Sequence, residues 1–284
     1  ARPIIVSGGG VKASGAGAEL VALAERLAIP VVTSLNGKDT FPSTHPLSGG
    51  VVGTYSRESA NRAVNEADLV CFIGTETGGM TTHFWAVPEI GRPAIQIDIE
   101  PESIGRNYPL QAAVQGDAKV TLARMVDLSD AGTAASRTVW VERIKELQGE
   151  WRAKHEDELR SDAVPIRPER LCQDLTDYLP DDAYVVVDTG HAGMWMGGMY
   201  DLKSTTQNYM RSAGHLGWAF PASLGVKCAL PDRPVVCFTG DAGFWYHIAE
   251  IESAVRWKIN AVIVVNNNGA GNQSKRGFDR AYGG

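Results

Sequence analysis

The chain has 284 residues, of which 44% are hydrophobic and 21% are charged, a composition that is ordinary for a globular protein. The formal net charge is −6 and no block of Lys or Arg occurs, so the charge pattern of a nucleic-acid-binding protein is missing. No apolar run approaches the ~20 residues that a membrane-spanning helix needs, and the four cysteines form no CxxC pair, which favours reduced, buried thiols and a cytoplasmic protein.

Short runs of β-branched residues alternate with helical patterns along the chain, which predicts parallel α/β architecture. At ~100–200 residues per domain, the length indicates two domains. We expect the first of them, an α/β domain, over residues 1–130. Its predicted strands are 3–6, 30–33, 69–73 and 94–97, and its predicted helices are 18–28, 61–66 and 118–125.

The stretch over residues 131–165 differs in character from the rest. Small residues are followed by a charged helical pattern at 139–159, in which Trp140, Ile144 and Leu147 share one stripe. We interpret this stretch as a linker laid across the surface. A second α/β domain is expected over residues 166–284, so the predicted fold class is α/β with two doubly wound parallel-sheet domains. The second domain is predicted to have strands at 184–187, 235–238 and 261–265, and helices near 218–230 and 246–257.

The strongest chemical signal follows the predicted strand at 235–238. Glycines let the backbone approach an anion closely, and the N-terminus of a following helix adds partial positive charge. The next predicted strand ends in an asparagine run that includes Asn268. Because such strands end side by side, Asp241 and Asn268 could offer a carboxylate and an amide oxygen to magnesium, with a main-chain carbonyl and phosphate oxygens completing the shell. The glycine-containing run that follows the predicted strand at 235–238 includes Gly240, Asp241, Ala242 and Gly243.

Together with residues 250–254, these motifs resemble the cofactor motif of thiamine-diphosphate-dependent enzymes, most closely the group of acetolactate synthase, pyruvate oxidase and benzoylformate decarboxylase. The resemblance implies that the metal is bound by Asp241, Asn268 and the main chain of Ala270. Ala242 stands where the family usually has glycine, which is a small change in size. The cofactor-binding residues implied in this region are Gly240, Asp241, Ala242, Gly243 and Asn268.

Two further stretches are similar to the family's cofactor-binding segments. Residues 212–222 resemble the segment under the thiazolium ring, where a bulky apolar residue supports the bent cofactor, and that position is Leu216. Residues 188–191 resemble a loop that touches the diphosphate from the other side, so Gly190 and His191 are candidate contacts. The alternatives are a core position for Leu216 and a packing or solvent role for His191.

A glycine-rich loop after the first strand suggests a different cofactor. Gly8, Gly10 and Ala13 fit a loose GxGxxA pattern, but no carboxylate follows the second strand until Asp39, which disfavours nicotinamide binding. The first domain is instead similar to the family's central domain, which binds FAD in some members and nothing in many. A flavin is therefore possible but less expected, with Asp98 as its contact. The stretches similar to that domain are 3–10, 29–31, 67–70 and 96–100.

Members of this family carry an N-terminal domain that binds the aminopyrimidine ring and supplies a catalytic glutamate. No part of this chain corresponds to that domain, and its C-terminal end looks incomplete. We therefore assign no catalytic residue, and we expect the chain alone to bind metal and diphosphate without turnover.

The resemblance implies a thiamine-diphosphate- and magnesium-dependent lyase or transferase that acts on a 2-oxo acid. Decarboxylation and carboligation of the acetolactate synthase type both remain open. A homodimer or homotetramer is expected, with neither nucleic acid nor membrane as a partner. Two other classes remain as alternatives: a flavin- or nucleotide-dependent oxidoreductase built on the first domain, and a non-catalytic homologue that acts as a binding subunit.

Overall fold

The computed structural model describes residues 1–283, apart from the side chain of residue 133, as two compact units. The first unit comprises Ala1–Ser161 together with Asp201–Thr205, and the second comprises Asp162–Tyr200 and the chain from Thr206 onward. Each unit is built on a parallel sheet, so the predicted α/β class with two doubly wound domains is confirmed. Within the described residues, no helix combines the length and apolar character needed to cross a membrane.

The first unit alternates strands and helices. Its elements are β1 (Pro3–Ser7), α1 (Gly9–Ala13), α2 (Gly17–Leu27), β2 (Val31–Thr33), β3 (Ser48–Val51), α3 (Glu58–Glu66), β4 (Leu69–Ile73), β5 (Ala94–Asp98), β6 (Leu110–Gln115), α4 (Ala118–Leu128) and α5 (Thr138–Leu159). The strands form a parallel sheet in the order β3-β2-β1-β4-β5-β6. This is the Rossmann-type order, in which the winding direction reverses between β1 and β4.

Strand β1 shows how this sheet is covered on both faces. Successive side chains of a strand point to opposite faces. Ile4 and Val6 accordingly join one apolar cluster, which contains residues of α3 and α5, including Trp140. Ile5 joins the other cluster, which contains Leu20 and other residues of α2 and α4. A strand that is apolar on both faces therefore becomes the centre of a three-layer unit.

The charged helical pattern belongs to the first unit, which differs from its interpretation as a surface linker. Helix α5 buries Trp140, Ile144 and Leu147 in the cluster that also contains Ile4. The indole nitrogen Nε1 of Trp140 donates to the carbonyl oxygen of Pro3 at 2.7 Å. Burying one large apolar side chain contributes about 1.5–3 kcal/mol. The apolar stripe therefore fixes α5 on the sheet, while its charged residues face the solvent.

A short segment from later in the chain, Asp201–Thr205, also belongs to the first unit. The guanidinium of the buried residue Arg57 donates from Nη2 to Asp201 Oδ1 at 2.6 Å. The same guanidinium lies 4.2 Å from the centroid of the Trp151 ring on α5. Asp201 therefore contributes to a buried charged contact whose other members lie in the first 161 residues.

The second unit is built on a smaller parallel sheet. Its elements are α6 (Pro168–Tyr178), β7 (Tyr184–Val187), α7 (His191–Gly198), β8 (Asn208–Arg211), α8 (Ala219–Ala229), β9 (Val235–Gly240), α9 (Asp241–Tyr246), α10 (Glu250–Arg256), β10 (Val262–Asn266) and α11 (Asn272–Tyr282). The strand order is β10-β9-β7-β8. Phe220 and Leu224 of α8 pack with Val186 and Cys237 of the sheet.

The helix predicted over residues 246–257 corresponds to α10, and a separate short helix, α9, precedes it. Helix α9 begins at Asp241, directly after β9, and α10 begins only at Glu250. The N-cap of α9 is Gly240, whose backbone is extended with φ −86° and ψ 166°. Strand and helix therefore follow each other without a loop, and Asp241 occupies the first helical position.

Candidate cofactor and metal site

Two neighbouring strands of the second unit end together at one edge of the sheet. Strands β9 and β10 are parallel, and Asn266 is in register with Gly240. Asp241 follows Gly240 directly, and Asn268 lies two residues beyond Asn266. The structure therefore brings the neighbourhoods of Asp241 and Asn268 to the same edge, as the strand-end argument predicts. Their roles as metal ligands remain a prediction.

The two glycines at the junction of β9 and α9 have different surroundings. A Cβ added to Gly240 would have no heavy atom within 4 Å, so the backbone there faces open space. Asp241 and Ala242 are half-buried. A Cβ added to Gly243 would lie 2.5 Å from Asp188 Oδ2, so only glycine fits at that position. An anion could therefore approach the backbone at Gly240.

The loop after β10 is organised by its own asparagines. Asn267 Oδ1 accepts a hydrogen bond from the Gly269 amide at 2.9 Å, and Asn268 Oδ1 accepts one from the Ala270 amide at 3.2 Å. The Asn268 side chain is exposed. An amide oxygen has two lone pairs, so this bond leaves one for a cation. With the Asp241 carboxylate and the Ala270 carbonyl, the donor set is all oxygen, which fits magnesium.

The loop at residues 212–217 lies against α9. Leu216 is 39% exposed, so the alternative of a core position does not hold for it. Gly217 has a φ of +88°, and a Cβ added there would lie 2.8 Å from Tyr246 Cβ and 2.9 Å from the Gly243 carbonyl oxygen. The absence of a side chain at Gly217 thus permits a backbone contact with α9. Leu216, the residue before it, is carried to the same part of the unit.

The loop at residues 188–191 leads directly into α7. Gly190 is the N-cap of that helix with a φ of +75°, and His191 is its first residue. A Cβ added to Gly190 would lie 3.1 Å from Gln273 Oε1 of α11. Burial, and then the positive charge of Arg276 on α11, lower the pKa of His191 below its ordinary value of 6.5. The first turns of α11 therefore lie near Gly190 and His191.

A buried carboxylate that the sequence did not single out lies behind these segments. Asp188 directly follows β7 and is 1% exposed. Its side-chain oxygens accept hydrogen bonds from the Thr189 amide, the Gly217 amide and the Thr239 hydroxyl. The only sequence signal was its place at the start of the 188–191 stretch. Its partners are distant in sequence and became visible only in the folded unit.

The glycine-rich loop of the first unit has a packing explanation. A Cβ added to Gly8 would lie 2.1 Å from the carbonyl oxygen of Gly74, and one added to Gly10 would lie 2.8 Å from Gly74 Cα. These glycines let the loop after β1 lie against the end of β4. Asp98 is buried and accepts a hydrogen bond from the Glu100 amide at 3.0 Å. A flavin contact at Asp98 stays a prediction.

Comparison with protein families gives two matches on this chain. Residues 1–125 match the model described as "Thiamine pyrophosphate enzyme, central domain". Residues 188–283 match the model described as "Thiamine pyrophosphate enzyme, C-terminal TPP binding domain". The second match begins directly after β7 and includes β9, β10 and the loop at 212–217.

Curated relatives are similar along nearly the whole chain. A "Probable acetolactate synthase large subunit" of Methanocaldococcus jannaschii is 35% identical over 278 residues, covering 94% of this chain and 46% of the relative. The "Acetolactate synthase large subunit" of Parasynechococcus marenigrum is 33% identical, with 94% and 43% covered. The "Acetolactate synthase isozyme 3 large subunit" of Escherichia coli is 29% identical, with 100% and 50% covered. The chain thus spans about half the length of the curated relatives it matches.

Proposed function

The chain belongs to the thiamine pyrophosphate enzyme family, and we propose that it holds the diphosphate and magnesium of thiamine diphosphate in an enzyme that acts on 2-oxo acids. The observation that carries this proposal is the register of Asn266 with Gly240, which brings the segments of Asp241 and Asn268 to one sheet edge. Bound thiamine diphosphate would supply the nucleophilic carbon and the electron sink that 2-oxo acid chemistry requires.

The proposed metal ligands are Asp241, Asn268 and the main-chain carbonyl of Ala270. A carboxylate, an amide oxygen and a carbonyl oxygen are hard ligands, and magnesium keeps further positions for phosphate oxygens and water. The N-terminal end of α9 adds partial positive charge near Asp241, which favours an anion there. The open backbone at Gly240 supports the proposal that the diphosphate lies beside this turn.

The other candidate contacts are given distinct roles. We assign Leu216 the support of the bent cofactor, because its side chain is partly exposed next to a glycine that contacts α9. Gly190 and His191 would meet the diphosphate from the start of α7. Burial and then Arg276 lower the pKa of His191 in the chain without cofactor, and a ring N–H of its imidazole would donate to a phosphate oxygen.

The reaction proposed for the whole enzyme is carboligation or decarboxylation of a 2-oxo acid, of the acetolactate synthase type. The names of the relatives support this class, although the chain covers only about half of their length. We also propose a homodimer or homotetramer. Large exposed aromatic side chains are the kind that protein interfaces bury, and α9 carries two of them, Trp245 and Tyr246.

The test is a calorimetric titration of thiamine diphosphate into the chain, with magnesium and then with EDTA. Asp241→Ala should weaken magnesium-dependent binding at least tenfold, which corresponds to about 1.4 kcal/mol. Asp232→Ala is the matched control, because Asp232 is an exposed aspartate just before the opposite, amino end of β9. Binding that is equal in wild type and Asp241→Ala, or that persists unchanged in EDTA, would refute the assignment.

A further inference from the structure

We propose that Asp188 is a positioning residue of this site. Its buried carboxylate holds three segments of the second unit in fixed relation: the loop at 189–191, the loop at 212–217 and the strand-to-helix turn at 239–243. The consequence for cofactor binding rests on the proposed function. The positioning itself is a property of the folded chain and can be measured without a cofactor.

The side-chain carboxylate of Asp188 accepts hydrogen bonds from three donors. The amide of Thr189 donates to Oδ1 at 2.8 Å. The amide of Gly217 donates to Oδ1 at 3.0 Å and to Oδ2 at 3.1 Å. The hydroxyl of Thr239 donates to Oδ2 at 2.7 Å. One carboxylate therefore serves as acceptor for donors on three separate segments, and both of its oxygens are used.

Close packing keeps this carboxylate in place. A Cβ added to Gly243 would lie 2.5 Å from Asp188 Oδ2 and 3.0 Å from Thr239 Oγ1. A Cβ added to Gly217 would lie 2.9 Å from the carbonyl oxygen of Gly243. Two glycines thus create the space in which the side chain and the two loops meet. A carboxylate held this way has little freedom to move away from its donors.

The position of each donor in the chain connects this arrangement to the site. Thr189 immediately precedes Gly190, Gly217 immediately follows Leu216, and Thr239 immediately precedes Gly240. Each segment that Asp188 holds therefore carries a candidate cofactor contact adjacent to the donor residue. Asp188 itself is buried behind them and is not assigned any contact with the cofactor. Since a misplacement of about 1 Å can cost about a hundredfold in a catalytic site, the spacing of these segments matters.

Two measurements on the same variants test the proposal. Hydrogen–deuterium exchange without cofactor reports the order of residues 212–218, and calorimetry with magnesium reports the dissociation constant of thiamine diphosphate. Asp188→Ala should speed exchange of residues 212–218 and raise that dissociation constant, each at least tenfold. Asp188→Asn, which keeps one acceptor oxygen, should give smaller changes. Thr239→Ser, which keeps the hydroxyl, should stay within twofold of wild type on both readouts.

A residue that only supports the fold would give a different result. Asp188→Ala would then lower the melting temperature, while residues 212–218 would exchange as in wild type and folded protein would bind thiamine diphosphate with wild-type affinity. That result overturns the proposal.

If Asp188→Ala does not fold, Thr239→Val replaces it, because valine matches threonine in shape and removes one donor. Thr239→Val should raise the dissociation constant of thiamine diphosphate at least threefold, while Thr239→Ser keeps the wild-type value. A wild-type dissociation constant for Thr239→Val overturns the proposal. If wild type itself binds no thiamine diphosphate, the proposed function fails, and the exchange data alone decide on Asp188.

Discussion

The contact between the loop at 212–217 and α9 can be tested by adding one methyl group. At Gly217, with φ +88°, an added Cβ would lie 2.8 Å from Tyr246 Cβ and 2.9 Å from the Gly243 carbonyl oxygen. Gly214 lies in the same loop with φ +82°, and an added Cβ there would have no heavy atom within 4 Å. Alanine at the two positions therefore meets a similar backbone penalty and very different surroundings.

The expected free energies follow from these two terms. Placing an L-residue in the left-handed region costs about 1–2 kcal/mol. A contact below 3 Å with backbone must be relieved by movement, and overpacking of this kind costs about 1–3 kcal/mol more. Gly214→Ala should thus lose about 1–2 kcal/mol of unfolding free energy and Gly217→Ala about 2–5 kcal/mol. The gain from a less flexible unfolded chain applies to both variants and cancels in their difference.

The assay must report the second unit alone, because a chain with two units can unfold in two steps. Hydrogen exchange of the β9 amides as a function of urea meets this need. With a slope of about 2 kcal/mol per molar urea, a difference of about 2 kcal/mol separates the two midpoints by about 1 M. Coincident midpoints for Gly214→Ala and Gly217→Ala would show that the loop does not contact α9.

The remaining predictions concern one apolar and one titrating side chain. Leu216→Ala should change the unfolding free energy by less than about 1 kcal/mol, since its side chain is partly exposed, yet weaken thiamine diphosphate binding. Leu224→Ala is the control, because it empties a core position. It should lower the free energy of unfolding in urea by about 2–5 kcal/mol and leave the affinity of the folded protein for thiamine diphosphate unchanged. Equal destabilisation by Leu216→Ala and Leu224→Ala would contradict the exposed position of Leu216. Because the folded-state pKa of His191 lies below 6.5, the unfolded chain takes up its proton first as pH falls, so the stability contributed by His191 is full above pH 6.5 and declines from there down to the folded-state pKa. In an NMR titration, Arg276→Gln should raise the pKa of His191 and Arg280→Gln should raise it less, and equal shifts would exclude Arg276 as the specific cause.

The sequence was sufficient for the strands that are buried on both faces. Central strands such as β1, β4 and β9 read as continuous apolar runs, and each was predicted. Strands β3, β6 and β8 were missed, and all three lie at sheet edges. Their sequences, SGGV, LQAAVQ and NYMR, contain few β-branched residues. An edge strand is held largely by hydrogen bonds to one neighbour, so its side chains need not follow an apolar pattern.

Part of the candidate site depends on contacts between residues that are distant in the sequence. Asp241 and Asn268 follow apolar strands in a strand–helix–strand unit, so their common edge could be predicted. Helix α7 could not, because its sequence HAGMWMGG is rich in glycine, which disfavours helix. The role of Asp188 was also beyond reach, since Gly217 and Thr239 approach it only when three segments fold together.

Because Asp201–Thr205 belongs to the first unit, recombination between relatives has to take this segment into account. The first unit is not a contiguous cassette, because one member of a buried charged contact, Asp201, is encoded after the start of the second unit. A chimera that exchanged residues 1–161 alone would pair one parent's Arg57 with the other parent's residue 201. Where that residue is not an acid, losing a charged hydrogen bond costs about 1.5–3 kcal/mol. Viable crossovers should therefore transfer the segment at 201–205 along with residues 1–161.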